Sequence, residues 1–435
     1  MATGKALDGN PHVRFDEGEV VSTTTQRRGS LLYNANSVIV AILALAAGTG
    51  LGAVAPIAPA GGEIVALVPE AQKKVMAPLT LAERLKVIED DKKVRHDHSW
   101  QKSVPLVLKW TATEREGAPW KIEIGKAPDL SDARTWFAGE KECKAKDGEC
   151  SYAVPMANLE VGEEYHWRVT GSARCAKPGC GGKCGCEERK KRVASAVASF
   201  RTEDVAPRWM EIEGGVHNIR DLGGRRTADG RRVKQGMAYR GQGLNNNSAT
   251  GEKPGRNRLT VEDVKYLTGV LGIRTDLDLR GRRHIADMAE SPLGSGVAYI
   301  NHPTSCYAGI FGDNGKKAMA ENFRVFCDRK NYPIYFHCIG GKDRTGSLAY
   351  VLNGVLGVSK HELETDWEST VYSGKLEPQI KAFLEKGNSQ HDAGFAKYGK
   401  DGDSLMRRIE LYLLDCGVTE AEISEFRSIM LDESR

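Results

Sequence analysis

Apolar and polar residues alternate with a period of two through residues 104–203. The alternation is clearest in three short stretches, VPLVLKW, WKIEI and EYHWRV. Each stretch places its large apolar side chains on one face, and turn-rich segments separate the stretches. This pattern predicts an antiparallel β-sandwich, in which one face of each strand is buried between two sheets.

After residue 205 the pattern changes to alternating helices and strands. The stretch LTVEDVKYLTGVLGIRTDLDLRG predicts a helix capped by Thr260, followed by a strand from about Arg274 to Leu279. HELETDWEST and LMRRIELYLLDCGVTEAEISEFRSIM have helical spacing. Residues 205–435 are therefore expected to form an α/β domain. The predicted fold class is multidomain, a β-sandwich followed by an α/β domain.

The residues before the sandwich show neither pattern. Residues 1–36 are polar and without periodicity, which predicts a disordered tail. Residues 37–60 are apolar, and residues 61–103 are expected to be a linker.

The apolar segment predicts a signal peptide or a membrane anchor. Its core, Val38 to Ala47, is shorter than the roughly 20 residues of a spanning helix but fits the roughly 7–15 of a signal peptide. Arg27 and Arg28 supply a positive flank, and Ala58-Pro59-Ala60 resembles a cleavage site. The long polar leader is unusual for a signal peptide, and an Ala/Gly-rich linker is the alternative. We expect export to the periplasm or the cell exterior, or anchoring in a membrane through residues 37–60.

Net charge and the positions of the cysteines bear on nucleic-acid binding and on metal sites. The 435 residues carry a net charge of only +4, without a basic patch interleaved with aromatic residues, so nucleic-acid binding is not expected. Six of the ten cysteines lie between Cys143 and Cys186. Their spacing lacks the paired C-x-x-C of a zinc ribbon, so disulfides are favoured over a metal site, with the pairing left open.

The stretch YPIYFHCIGGKDRTGSLAY, residues 332–350, contains the strongest candidate site. Ile334 to Phe336 predict a short buried strand, and the apolar residues after Arg344 have helical spacing. Backbone N–H groups of the intervening turn, together with the N-terminus of the helix, can bind phosphate. A nucleotide P-loop is excluded, because that motif would need Gly at 336 and Ser or Thr at 343, where this chain has Phe336 and Asp343.

A cysteine at the base of a phosphate-binding turn indicates covalent catalysis. N–H dipoles, a helix N-terminus and Arg344 all favour the thiolate of Cys338 over the thiol. The same groups would hold a phosphoryl group over the sulfur, so a phosphocysteine intermediate is expected. This chemistry needs neither a metal ion nor an organic cofactor.

Two families resemble parts of this sequence. HCIGGKDRTG resembles the C-x5-R active-site loop of protein tyrosine phosphatases, in particular the bacterial tyrosine phosphatases with a Lys-Asp-Arg loop, some of which act on phosphoinositides. GGVHNIRDLGGRRTADGRRVKQGMAYRG and DLDLRG resemble two other segments of that family. LEVGEEYHWRV and VASFRTED resemble fibronectin type III domains, which implies that identity for the sandwich.

The phosphatase resemblance implies a role for each loop residue. Cys338 would be the nucleophile, and Arg344 would clamp two phosphate oxygens. His337 would orient the loop, and Thr345 would donate a hydrogen bond to the sulfur when the phosphocysteine breaks. The remaining phosphate-binding residues would be Ile339, Gly340, Gly341 and Lys342.

The leaving group needs a proton from a nearby acid. Asp343 is the first candidate, because relatives with Asp before the loop arginine are thought to use it. Asp278 is the second candidate, with a salt bridge to Arg280 or to a loop arginine as its structural alternative. Arg220 and Asp221 are expected to support the phosphate loop. A further pair of acids, Asp366 and Glu368, is expected to face solvent or to brace the loop.

Three functions remain open from sequence alone. The first is a cysteine-dependent phosphatase acting on phosphotyrosine or phosphoproteins, and the second is the same chemistry on inositol phosphates or phosphoinositides. The third is a catalytically silent extracytoplasmic binding protein. The Asn/Gly-rich insertion GQGLNNNSATGEKPGRNR departs from the family pattern and leaves the substrate class open.

Overall fold

A computed structural model describes residues 54–90, 103–112, 116–143, 148–173, 192–245, 258–285, 288–370 and 380–433. Three predicted features lie outside these ranges: the tail 1–36, residues 37–53 of the apolar segment, and cysteines 175, 180, 184 and 186. Residues 246–257 of the Asn/Gly-rich insertion also lie outside them.

The alternating stretches form strands of two sheets. Strands β1, β3 and β6 make one antiparallel sheet, and β2-β9-β7-β4-β5 make the other, with β8 paired to β7. The bounds are β1 Ala55–Ala58, β2 Ile64–Val65, β3 Leu106–Thr111, β4 Glu116–Gly125, β5 Arg134–Ala138, β6 Glu149–Val154, β7 Glu164–Ala173, β8 Arg192–Ala194 and β9 Ala198–Thr202.

Side chains from both sheets share one hydrophobic core. Leu108 and Trp110 of β3, Ile122 of β4 and Trp167 of β7 are fully buried. The predicted period-two alternation of these strands is therefore confirmed. The assignment to the fibronectin type III family stays a prediction.

The predicted linker, residues 61–103, contains regular structure in its described part, residues 61–90. This stretch contains β2 and two helices, α1 (Glu70–Met76) and α2 (Leu81–Asp90). Polar contacts to distant residues hold them, such as the hydrogen bond from Trp209 Nε1 to Gln72 Oε1 at 3.0 Å. Contacts of this kind leave no periodic apolar pattern in the sequence.

The first sheet also begins earlier than the predicted boundary at 104. Strand β1 pairs with β3, and the carbonyl of Pro59 accepts a hydrogen bond from Trp167 Nε1 at 3.1 Å. A cut within Ala58–Ala60, the predicted cleavage site, would remove β1 from this sheet. Among the residues described, no helix has the length and apolar character needed to cross a membrane. Export stays a prediction.

The second part is an α/β fold, as predicted. Its sheet has the order β10-β11-β14-β12-β13, with β10 antiparallel and the other four strands parallel. The strands are β10 Arg220–Asp221, β11 Ala238–Gly241, β12 Thr275–Asp278, β13 Ala298–Asn301 and β14 Ile334–His337.

Eight α-helices accompany this sheet in the part of the chain that the structure describes. They are α3 Val261–Lys265, α4 Arg282–Ile285, α5 Asp313–Phe326, α6 Asp343–Val355, α7 Lys360–Ser369, α8 Ile380–Phe395, α9 Leu405–Asp415 and α10 Glu420–Met430. A π-helical turn, Tyr266–Val270, follows α3, and 3₁₀ turns cover Tyr307–Phe311 and Arg329–Asn331. Thr260 caps α3 in a capping box with Asp263, as its sequence predicts.

The parallel strands bring the candidate residues to one edge of the sheet. The turn after β14 contains Cys338, and the turn after β12 contains Arg280. The turn after β11 contacts the first of these, because Gly243 N–H donates to the carbonyl of Ile339 at 3.1 Å. Carboxyl ends of parallel strands are where α/β proteins place their binding sites.

Asn158 joins the sandwich to the α/β part. Its side-chain amide donates to the Tyr266 hydroxyl at 2.7 Å and to the Glu211 carbonyl at 3.0 Å. Its side-chain oxygen accepts from the Glu211 N–H at 2.7 Å, and its backbone carbonyl accepts from Arg208 at 2.8 Å. The residue is buried in the left-handed region, at φ 46°, which Asn tolerates better than most side chains.

We therefore expect Asn158→Ala to lower the free energy of unfolding by about 2 kcal/mol, because buried partners lose their hydrogen bonds. Urea unfolding of the full chain measures this. The exposed Asn314→Ala on α5 is the control, with an expected change below about 0.5 kcal/mol. Equal stability of the two variants would contradict the role given to Asn158.

Candidate active site

The turn between β14 and α6 forms the predicted phosphate loop. Strand β14 ends at His337, and α6 begins at Asp343, so Cys338 lies at the base of the turn with only 2% of its surface exposed. Gly341 adopts φ +66°, and a Cβ there would lie 2.3 Å from the carbonyl oxygen of Gly241 at the end of β11. The turn can pack this tightly against β11 only with glycine at 341.

The surroundings of the Cys338 sulfur favour the thiolate. Burial alone would raise the pKa of Cys338, and the carboxylate of Asp343 acts in the same direction. The Thr345 side chain and N–H, together with the charge of Arg344, outweigh both and hold the pKa below its ordinary value. A lowered pKa increases the fraction of thiolate, which is the nucleophilic form of cysteine.

Arg344 supplies positive charge beside the sulfur. Arg344 Nη1 donates to the carbonyl of Leu279, after β12, at 3.3 Å. Among the described residues this carbonyl is the one protein acceptor of the Arg344 guanidinium. Lys342 is half-buried, with no ion-pair partner in the described part of the chain.

His337 ties the loop to the neighbouring strand. Its Nδ1 lies 3.1 Å from the Cys338 carbonyl oxygen, and its Nε2 lies 2.9 Å from Asp276 Oδ1 on β12. Burial opposes a charge on the imidazole, but Asp278 and Asp276 outweigh it and raise the pKa of His337. The orienting role that the resemblance implies fits these contacts.

A buried network of arginines holds the other side of the loop. The carboxylate of Asp366 on α7 pairs with Arg220, with Arg225 and with Arg240. Arg240 Nη2 in turn donates to the carbonyl of Gly341 at 2.9 Å.

A second path of the network runs through Asn218. Arg220 Nη1 donates to Asn218 Oδ1 at 2.6 Å. The Asn218 amide then donates to the carbonyls of Gly340 and Gly341, at 3.1 and 3.2 Å. Arg220 therefore supports the loop, as predicted.

The other predicted supports have separate roles. Asp366 braces the loop, whereas Glu368 lies on α7 with 2% exposure and pairs with Arg84. Asp221 does not touch the phosphate loop, because it binds Arg208 and the N–H groups of Gly223 and Gly236. Neither Asp366 nor Glu368 faces solvent.

Asp343 remains the acid candidate after the structure is considered. It is the first residue of α6, and its Oδ1 accepts a short hydrogen bond from the hydroxyl of Tyr307. Burial and the Asp343 carboxylate raise the pKa of Tyr307, so the phenol keeps its proton and stays a donor. Asp343 is therefore held next to the nucleophile with one carboxylate oxygen fixed.

Asp278 has the geometry of a structural residue. Both its oxygens bind Arg280, at 2.6–3.0 Å, and Tyr299 donates to Oδ2 at 3.0 Å. Burial would raise its pKa, but His337 and Arg280 together lower it. A fully buried carboxylate held ionised in this way is a poor proton donor, so the salt-bridge alternative replaces the prediction of an acid at 278.

Sequence reasoning missed Tyr307, Asn218 and Arg240. The last two lie in GGVHNIRDLGGRRTADGRRVKQGMAYRG, which had indicated the family without revealing their contacts. Tyr307 follows a loop of small polar residues and has φ 56°, and no sequence pattern marks it.

The cysteines of the sandwich are only partly described. Cys143 and Cys150 are buried, and burial together with the adjacent Cys150 raises the pKa of Cys143 to about 12. Among the residues described, no cluster of His, Cys, Asp and Glu could hold a metal ion. The choice between disulfides and a metal in the insertion stays open, because its other four cysteines are not described.

Comparison with known proteins decides the family. Residues 211–432, just over half of the chain, match the model of the tyrosine phosphatase family. The chain belongs to this family. Membership of this family supports a phosphatase hydrolase over the third possibility, a silent binding protein.

Two individual proteins are similar to this phosphatase over part of its length. A tyrosine-protein phosphatase of Nostoc commune is 23% identical over 206 residues, which cover 39% of this chain and 70% of that protein. The core catalytic domain of the PP-IP phosphatase SIW14 from S. cerevisiae, crystallised with citrate, is 15% identical. That comparison covers 38% of this chain and 93% of the other, with a TM-score of 0.23, too low to carry an argument.

The two glycines of the loop are expected to respond differently to the same change. Gly341→Ala places a methyl group 2.3 Å from the Gly241 oxygen at a positive φ, so the loop must shift and kcat/KM should fall about 100-fold. In Gly340→Ala the nearest atom is 3.4 Å away, on the flexible Lys342 side chain, and activity should stay within about threefold. Steady-state kinetics with an aryl phosphate measures both, and equal losses would show that the Gly241 contact does not fix the loop.

Proposed function

We propose that this phosphatase hydrolyses phosphotyrosine in proteins through a phosphocysteine at Cys338. One observation carries the proposal: the buried thiol of Cys338 lies in the turn before helix α6, and Thr345 and Arg344 of that helix lower its pKa. Such a site attracts a phosphate dianion and presents a nucleophile to its phosphorus atom.

In the first step, the Cys338 thiolate attacks phosphorus and the bond to the tyrosine oxygen breaks. Arg344 and the loop N–H groups hold the three equatorial oxygens, on which the negative charge is spread. Asp343 gives its proton to the departing phenolate, so tyrosine leaves as the neutral phenol.

In the second step, water attacks the phosphocysteine and the sulfur–phosphorus bond breaks. Asp343, now ionised, takes a proton from that water, and inorganic phosphate is released. The sulfur leaves as a thiolate, which the Thr345 hydroxyl stabilises. This proton transfer returns the enzyme to its starting state.

The depth of the nucleophile supports an aryl substrate. Only 2% of the Cys338 surface is exposed, so phosphorus must reach below the protein surface to meet the sulfur. A phosphate at the end of a phenol ring extends further from a peptide backbone than one on serine or threonine.

Positive charge around the loop favours a second candidate, inositol phosphates or phosphoinositides. Lys342 and Arg344 flank Asp343, and Arg283 lies on the nearby helix α4. Burial, Arg344 and Arg283 together lower the pKa of His284. Cations close enough to act on one imidazole would also attract a second phosphate group.

The full chain should hydrolyse a phosphotyrosine peptide faster than a phosphoinositide in detergent micelles, with EDTA and reductant present. In Cys338→Ser the rate of phosphate release should fall by more than about 1000-fold, because the serine hydroxyl is not ionised at neutral pH. Phosphate release at equal substrate concentrations measures both rates. A faster rate on the phosphoinositide would favour the second candidate, and an active Cys338→Ser variant would exclude the cysteine mechanism.

Asp343→Asn should slow substrates according to their leaving group. A tyrosine phenolate needs the proton, so kcat should fall about 100-fold, whereas the stable p-nitrophenolate should leave with a much smaller loss. The matched variant Asp278→Asn should lower thermal stability and slow both substrates alike. A leaving-group dependence in Asp278→Asn, and none in Asp343→Asn, would reverse the assignment of the acid.

A further inference from the structure

Helix α7 connects two regions of the molecule through opposite faces. Asp366 points to the arginine network that holds the phosphate loop, and the neighbouring Trp367 packs on the first turns of α6. Glu364 and Glu368 are one helical turn apart, on the face away from Asp366. Contacts made by Glu364 and Glu368 therefore help to fix the position of Asp366 on the opposite face of the helix.

Trp367 links α7 to the proton donor as well. Its ring lies edge-on to Tyr307, with centroids 5.5 Å apart, and the Tyr307 hydroxyl binds Asp343. Its indole also fills the space above Gly346 of α6, where a Cβ would lie 2.3 Å from the ring. A displacement of α7 would therefore move both the loop and the acid.

A residue from the N-terminal segment binds the face of α7 that contains Glu364 and Glu368. Arg84 on α2 is fully buried, and its guanidinium binds Glu368 at 2.6 and 2.9 Å and Glu364 at 3.0 Å. Nη1 donates to the carbonyls of Pro78 and Leu79, at 3.0 and 3.1 Å. Every nitrogen of this side chain therefore has an acceptor.

Arg84 lies outside the region that matches the phosphatase family, which begins at residue 211. Among the described residues it is the one cation paired with Glu368, which also accepts a hydrogen bond from the side-chain amide of Asn388 at 3.0 Å. The catalytic domain therefore contains a buried carboxylate whose counterion comes from a different part of the chain. Removing such a counterion leaves an uncompensated buried charge.

We propose that Arg84 is a positioning residue of the phosphatase reaction, which fixes α7 and through it the phosphate loop and Asp343. The N-terminal helices are then a part of the active-site support and not a spacer before the catalytic domain. This inference rests on the phosphatase activity of the chain and is independent of which phosphomonoester is the natural substrate.

The test uses two full-chain variants, Arg84→Lys and the double variant Arg84→Met, Glu368→Gln. Lysine keeps the charge but cannot reach both glutamates and both carbonyls. The double variant removes the buried pair with Glu368, and Glu364 keeps Lys360 at 3.5 Å as its counterion. We expect both to fold, with kcat/KM for p-nitrophenyl phosphate lower by about 10- to 100-fold. The dissociation constant of vanadate, which binds the empty loop, should rise by a similar factor.

A pH profile separates positioning from stability. If the loop is displaced, its N–H groups stabilise the thiolate less, so the acidic limb of kcat/KM should move to higher pH in both variants. Lys73→Met is the matched control, because Lys73 belongs to the same N-terminal segment but pairs with Glu203 and Glu70 instead of α7. It should leave kcat/KM, the vanadate constant and the pH profile unchanged.

Wild-type kinetics in the folded double variant would overturn the proposal and leave Arg84 a purely structural counterion. Unfolding of both variants would do the same, because it would assign Arg84 to stability alone. Failure of the wild-type protein on phosphotyrosine peptides would instead overturn the proposed substrate. Vanadate binding and p-nitrophenyl phosphate hydrolysis would still report on Arg84 in that case.

Discussion

The carboxylate of Asp366 is the interaction on which the active site depends. It lies in the interior with three guanidinium groups around it, from Arg220, Arg225 and Arg240. Two hydrogen-bonded paths lead from this cluster to the carbonyls of the phosphate loop. Several carbonyls of the loop are satisfied from behind, so its N–H groups are left to face a ligand.

The cluster also carries more positive than negative charge. Burial and the neighbouring Arg240 lower the pKa of Arg220 to about 9, a sign that the guanidinium groups compete for one carboxylate. Glu362 offsets part of the excess through Arg225. The remainder lies directly behind the loop, where it favours both the Cys338 thiolate and a bound dianion. The same residues thus provide mechanical support and electrostatic stabilisation.

Local patterns in the sequence predicted the parts of the fold that local physics determines. Alternation gave the strands around Trp110 and Trp167, and the strand, turn and helix around Cys338 follow from residues within 20 positions of one another. The contacts that could not be predicted are polar and distant in sequence. The sequence predicts a linker where the helix containing Arg84 lies, because the acidic partners of this buried arginine belong to α7. Asp278 remained a candidate acid because sequence alone does not show that Arg280 and Tyr299 occupy both its oxygens.

The contact between Arg84 and Glu368 spans 284 residues of the chain, and the pair Arg220–Asp366 spans 146. Closing loops of this size costs conformational entropy before the contact returns any stability, so such structures fold slowly. During synthesis, α2 leaves the ribosome before α7 has been made. Arg84 therefore has no partner on α7 until Glu364 and Glu368 have been synthesised. A chain that ends before α7 therefore lacks both Asp366 and Glu368, and with them the support of the phosphate loop.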